Sequence, residues 1–190
     1  MYIPEIDRYA PEFLRQWIPP KWQRRLYPPG RRVIKIARHR STGNRFAVNV
    51  CETNGRILYF DGTNEDEELA YLTENIRSGH VFFDVGASVG LYSIAAARLG
   101  ARVFAFEPSS ETCRLLRNNI SLNGVSNVRV EEIALGERSG TGTLHNNRES
   151  GLTSLIDTGR GKIVSRQPVG IISLDEYTLS QGIDRIDTLK

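Results

Sequence analysis

Between Val81 and Glu132 the chain runs strand, glycine turn, helix, strand, helix, strand, and few architectures accept that order. Val81–Val85 is apolar except for Asp84. Val89 to Leu99 reads as a helix closed by Gly100. Arg102 to Phe106 reads as a second strand, Ser109 to Leu122 as a helix closed by Asn123-Gly124, and Asn127 to Glu132 as a third strand. Apolar strands alternating with helices predict βαβ units and a parallel sheet with helices on both faces. A helix precedes them: Asn64 is a good N-cap, Glu65 to Glu68 suit the first turn, Leu69, Leu72 and Ile76 share a face, and Gly79 is the expected stop.

The segment Asp84-Val85-Gly86-Ala87-Ser88-Val89-Gly90 joins the first strand to its helix. Its glycines let the backbone turn sharply and let a ligand approach the helix N-terminus. Glu107 ends the next strand. In a right-handed βαβ unit both strand ends face one crevice. An acid there can accept hydrogen bonds from a ribose diol. A nicotinamide dinucleotide fits poorly, because its glycines fall at positions one, three and six; counted from Gly86, these are Gly86, Ser88 and Leu91. Asp84 would also repel a pyrophosphate. S-adenosylmethionine suits the pattern: it has no phosphate, its carboxylate can meet the glycine loop, its ammonium can face Asp84, and its ribose can meet Glu107.

The ordered series Asn64-Glu65-Asp66-Glu67, Asp84 to Ser93, Phe106-Glu107-Pro108, Asn119 to Asn123, Ala134-Leu135-Gly136 and Ser173 to Tyr177 resembles the FkbM-type branch of class I S-adenosylmethionine-dependent methyltransferases. The resemblance covers residues 64 to 190. It implies a Rossmann-like α/β sheet and methyl transfer to an oxygen of a sugar-containing or other small-molecule or glycan acceptor. The cofactor-binding set expected from it is Asp84, Gly86, Ala87, Ser88, Gly90, Glu107, Pro108, Ile133 and Ala134. Ile133 stands where many relatives place an acid, so adenine is expected to meet backbone groups and apolar contact. The fold normally has strand order 3-2-1-4-5-7-6, and this chain is expected to supply three strands and the start of a fourth. The expectation is therefore a C-terminally truncated, incomplete domain, inactive alone, with no catalytic base to name. The alternative is a non-catalytic cofactor-binding or interaction module.

After Gly136 a strand is expected near Gly142 to His145, then a long loop to about Gln167, a short strand from Val169 to Ile172, and a capping box at Ser173 to Glu176. Ile186 to Lys190 reads as the start of a strand. His145 reads as a loop residue, and His39 and His80 as structural.

The first 62 residues differ in kind. Residues 1–30, an expected extended arm with a short helix near Pro11 to Ile18, hold six of the eight prolines and both tryptophans. Residues 31–62 suggest a small antiparallel region with strands at Val33 to Ala37, Arg45 to Val50 and Arg56 to Phe60; residues 63–190 are, on the resemblance, the expected partial methyltransferase domain. From Phe13 to Cys51 there are ten basic residues and no acidic one, whereas residues 52 to 190 carry 14 basic and 19 acidic side chains. The net charge of +3 thus belongs to one segment. The basic run reads first as a solvated face, with peripheral membrane or protein docking through residues 13–45 as its alternative use. Nucleic acid is set aside because the aromatic residues sit in the Pro-rich arm and are not interleaved through a stacking platform. Two cysteines, Cys51 and Cys113, exclude a disulfide framework and a four-cysteine zinc site. No apolar run is long enough to cross a bilayer and no secretory signal is present, so a cytoplasmic protein with no metal is expected.

Overall fold

A computed structural model describes residues 12–190. The chain divides into two compact units, the first ending at Glu65 and the second running Asp66–Lys190.

The first unit holds α1 (Glu12–Arg15), α2 (Pro20–Leu26), β1 (Ile34–Arg38), β2 (Arg45–Asn49) and α3 (Thr53–Asp61). Residues 1–11 of the expected arm lie outside the described residues. The rest of the arm is more helical than expected. Pro20 occupies the first helical position of α2, where a missing N–H costs nothing and a fixed φ helps. Tyr27 docks this segment: it is buried and packs on Tyr59 at 6.4 Å and Phe60 at 6.0 Å. Strands β1 and β2 pair antiparallel, Ile34 opposite Asn49 through Arg38 opposite Arg45. The expected third strand is instead α3, which buries Leu58, Tyr59 and Phe60. Gly55 lies inside this helix, and a Cβ there would stand 2.2 Å from the Asn49 carbonyl oxygen. The glycine marks a close backbone approach between strand and helix. His39 is fully buried and structural, with Nε2 3.2 Å from the Asn64 carbonyl and Nδ1 3.1 Å from the Ser41 hydroxyl.

The second unit opens with α4 (Asp66–Asn75), which buries Leu69 and Leu72. It stops before Gly79, whose N–H pairs with the Gly100 carbonyl instead of closing the helix. There follow β3 (Val81–Val85), α5 (Leu91–Arg98), β4 (Arg102–Phe106), α6 (Ser110–Leu122) and β5 (Val128–Glu131), and near the end β9 (Thr188–Leu189). These four strands form one parallel sheet in the order β5-β4-β3-β9. That is the third, second, first and fourth strand of the expected Rossmann-like arrangement. The period-2 alternation of β4 sorts its side chains. Phe104 and Phe106 join Phe83 and Tyr177 in one aromatic cluster, with ring centroids 4.8–6.0 Å apart. Ala105 faces the other way, with Ala87 and Leu116, and leaves room for α6. Cys113 on α6 is fully buried and its Sγ–H donates to the Glu107 carbonyl at 2.9 Å. Both cysteines are unpaired thiols.

A second, three-stranded sheet follows in the order β6-β8-β7, from β6 (Ala134–Gly136), β7 (Gly140–Asn147) and β8 (Ile163–Ser173). The expected long loop is shorter than predicted, because β7 and β8 pair antiparallel out to Asn147 and Ile163. The outer part of that ladder is polar on β7, at His145, Asn146 and Asn147, and mixed on β8, where Ile163 and Val164 adjoin Ser165 and Arg166, so no clear alternation of hydrophobicity marks it. Ser173 caps α7 (Leu174–Gln181), its hydroxyl accepting the Glu176 N–H at 3.2 Å. No helix among the described residues is long and apolar enough to cross a membrane.

Candidate functional site

The tips of β3 and β4 make the site. Gly86 and Ala87 donate their N–H groups to the Phe106 carbonyl, at 2.9 and 3.0 Å, which folds the loop after β3 onto the end of β4. Gly86 has φ +73, and open space lies where its Cβ would be. Ser88 also holds a left-handed backbone, at φ 51. Its N–H donates to Glu107 Oε2 at 3.0 Å, and the Ser109 N–H donates to Oε1 at 3.0 Å. One carboxylate thus ties the glycine loop to the start of α6. Asn119, fully buried on α6, fixes the far side of the loop by donating to the Val89 carbonyl at 2.9 Å.

A cavity of about 330 Å³ opens at these tips. Its lining includes Val85, Gly86, Ser88, Phe106, Glu107 and Pro108 from the strand tips, Thr112 of α6, Ile133, Ala134, Leu135 and Leu144, and Ser150, Gly151, Thr153, Ser154 and Leu155 from the β7–β8 connection. Of the nine residues expected to bind a cofactor, Gly86, Ser88, Glu107, Pro108, Ile133 and Ala134 line this cavity. Asp84, Ala87 and Gly90 do not. Gly90 serves packing: at φ +93 it starts α5, and a Cβ would stand 2.5 Å from Leu116 Cδ1. Asp84 is fully buried, accepts the Ser93 hydroxyl on Oδ2 at 2.6 Å, and has Lys190 Nζ 3.2 Å from Oδ1. The two carboxylates therefore do not share the cavity; only Glu107 borders it.

Burial pushes the Glu107 carboxyl above the usual range; the Ser109 and Ser88 N–H groups oppose that, the Asp84 charge adds to it and the Lys190 charge subtracts. The 150–155 wall was not foreseen, since it comes from the polar β7–β8 connection. Gln167 on β8 donates to the Ser110 hydroxyl at 2.9 Å and joins that hairpin to the rim of the site.

The lining fits a nucleoside with an amino-acid tail. Glu107 offers anchored acceptors to a diol, Pro108, Ile133 and Ala134 offer an apolar bed with backbone groups, and the open face of Gly86 admits close approach. Among the described residues no cluster of three metal-ligating side chains occurs.

Comparison with known proteins bears on this site. The chain is 32% identical over 84 residues to a ribosomal protein L11 methyltransferase of Caldanaerobacter subterraneus subsp. tengcongensis, an alignment covering 43% of this chain and 27% of that protein. The chain thus spans about a quarter of the length of that relative. Two solved structures are similar over part of the chain. The tRNA m1G37 methyltransferase of M. jannaschii is 25% identical with a TM-score of 0.41, covering 54% of this chain and 30% of that one. TYW2 of P. horikoshii in complex with MeSAdo is 18% identical with a TM-score of 0.44, covering 55% and 37%. The family model of the TRM5/TYW2 methyltransferase domain matches residues 37–148, more than half of the chain. That match overturns the reading that set nucleic acid aside. It supports a methyltransferase without carrying the narrower FkbM-type assignment. The chain belongs to the TRM5/TYW2 methyltransferase-domain family, and its cofactor is S-adenosyl-L-methionine.

Proposed function

We propose that this protein transfers a methyl group from S-adenosyl-L-methionine to RNA. The observation that carries the reading is the doubly anchored Glu107 carboxylate at the edge of the cavity, in a chain of this family. In this reading Glu107 accepts from the ribose hydroxyls. Pro108, Ile133 and Ala134 bed the adenine, and Gly86 and Ser88 border the amino-acid end. The cofactor, when bound, supplies a methyl group already activated by its sulfonium. The protein's part is to orient donor and acceptor, which can supply roughly 7–11 kcal/mol of a barrier.

RNA is favoured as acceptor by the family and by the first unit. Arg38 of β1 stands directly opposite Arg45 of β2, both exposed, with exposed Ile34 and Ile36 on the same face. A run of exposed basic side chains with no acid among them is the electrostatic footprint that a phosphate backbone meets. The relatives that methylate ribosomal protein L11 and the FkbM-type motif series name two other acceptor classes, protein and sugar hydroxyl.

The test is a transfer assay with methyl-labelled cofactor, offering tRNA and rRNA, ribosomal protein and sugar acceptors in parallel. Label is expected in RNA. Glu107→Ala is expected to weaken cofactor affinity by about ten- to a hundredfold, the loss of a charged hydrogen bond worth roughly 1.5–3 kcal/mol. Label in protein or sugar but not in RNA rejects the acceptor; unchanged cofactor binding in the variant rejects the role of Glu107.

A further inference from the structure

We infer that Lys190 is a positioning residue that lets the glycine loop accept the carboxylate-bearing end of its ligand. The inference rests on the cofactor assignment above and adds a residue that the cofactor-binding set did not contain.

Backbone pairing delivers Lys190 to the loop. Strand β9 runs parallel to β3, with Thr188 beside Phe82 and Leu189 beside Phe83. Lys190 continues that ladder: its N–H donates to the Phe83 carbonyl at 2.9 Å, and its carbonyl accepts the Val85 N–H at 3.0 Å. The side chain therefore arrives beside Asp84, Val85 and Gly86. Its Nζ lies 3.2 Å from Asp84 Oδ1, donates to the Gly86 carbonyl at 3.2 Å, and stands 4.8 Å from the centroid of the Tyr92 ring. Three groups from β3, the loop and α5 converge on one ammonium.

Each contact has a consequence. Asp84 is wholly buried, and apart from the Lys190 ammonium at 3.2 Å its Oδ1 meets no hydrogen-bond donor among the described residues. A buried carboxylate without a counter-charge is strongly unfavourable, and the Lys190 ammonium is the nearby cation. With it, the end of β3 is close to neutral; without it, the loop carries a bare negative charge beside Glu107, a second carboxylate. Asp84 is engaged by Ser93 and Lys190 and lies outside the cavity lining, so it does not serve the ammonium of the ligand's tail, and at the glycine loop that field would repel the tail's carboxylate. The hydrogen bond to the Gly86 carbonyl fixes the peptide whose open face borders the cavity. Lys190 thus acts through Asp84 and Gly86, on charge and on loop geometry. A ligand lacking the charged tail has no use for either.

That difference gives the test. Calorimetry on the whole chain compares S-adenosylhomocysteine, which carries the amino-acid tail, with 5′-methylthioadenosine, which has the same nucleoside and sulfur without it. Lys190→Met is expected to weaken S-adenosylhomocysteine by about tenfold or more while methylthioadenosine changes less than about twofold. Lys190→Arg is expected to restore most of the loss. In the double variant Asp84→Asn with Lys190→Met, neutrality returns, and S-adenosylhomocysteine is expected to recover to within about threefold of the unaltered chain. If the single methionine variant does not fold, the double variant decides alone by the ratio of the two affinities. A preserved ratio supports the inference and a collapsed ratio overturns it. Equal weakening of both ligands by Lys190→Met, or no weakening of either, overturns the positioning role and leaves the cofactor assignment standing. Failure of the unaltered chain to bind either ligand overturns both.

Discussion

Gly86 and Gly90 occupy one loop and hold similar backbone angles, yet they answer to different demands. At Gly90 a Cβ collides with Leu116 Cδ1, so Gly90→Ala is expected to destabilise the second unit by about 1–3 kcal/mol, visible as a lower midpoint in thermal unfolding. At Gly86 a Cβ meets nothing, and Gly86→Ala is expected to cost about 1–2 kcal/mol from its left-handed backbone while also narrowing the cavity. Its signature is a loss of S-adenosylhomocysteine affinity larger than its loss of stability explains. Equal behaviour of the two variants in both measurements would contradict this division. Glu107 adds a dependence on pH. Its carboxyl titrates above the ordinary range, chiefly because it is buried. The folded state therefore binds its proton at higher pH than the unfolded chain does. Its contribution to stability is fully present below the ordinary glutamate range and is lost as pH rises through the folded value. Ligand affinity runs the other way, since ribose hydroxyls donate to the carboxylate. Affinity is expected to fall as pH is lowered, and to do so at higher pH than an ordinary glutamate near 4.3 would cause, and Glu107→Gln is expected to flatten that profile. The spacing of Gly86, Ser88 and Glu107 was readable from the sequence because strand ends and helix starts fix where such residues lie. The partnership of Asp84 was not, because Lys190 is separated from it by most of the domain and meets it only through sheet pairing.

Elements were legible in proportion to how completely they are buried. Strand β3 is apolar except for Asp84 and β4 is apolar after Arg102, and helices α5 and α6 are bounded by glycine or by a serine cap, so their limits fall within a few residues of expectation. Helix α3 was misread as a strand because Ile57-Leu58-Tyr59-Phe60 is a short apolar run, and such runs carry no period that separates helix from strand. The capping box of α7 was anticipated only in part. The Ser173 hydroxyl accepts the Glu176 N–H, but the returning contact passes through Ser139, whose hydroxyl accepts the Ser173 N–H at 2.9 Å and donates to the Glu176 carboxylate. A residue 34 positions away completes the cap. Ser173→Ala and Ser139→Ala are each expected to lower stability by about 1 kcal/mol, and the double variant by less than their sum, because the two belong to one network. Strict additivity in chemical denaturation would show that Ser139 stands outside the cap.

At the scale of the whole molecule, charge is divided by unit. The ten cations between Phe13 and Cys51 belong to the first unit, and the cavity belongs to the second. RNA binding and cofactor binding are therefore expected to respond to different substitutions. Arg38→Glu combined with Arg45→Glu is expected to weaken RNA binding and to reduce its dependence on salt by up to about two phosphate contacts, with S-adenosylhomocysteine affinity unchanged. An RNA titration across salt concentrations that matches the unaltered protein would remove the β1–β2 face from recognition. The same division reaches the thiols. Cys51 lies in one unit and Cys113 in the other; both are buried, and burial raises both, Cys113 to about 12. Neither reacts while its surroundings stay closed. Each unit consequently carries its own clock: the alkylation rate of Cys51 times the opening of one, that of Cys113 the opening of the other, and a nucleoside seated against Glu107 slows only the second.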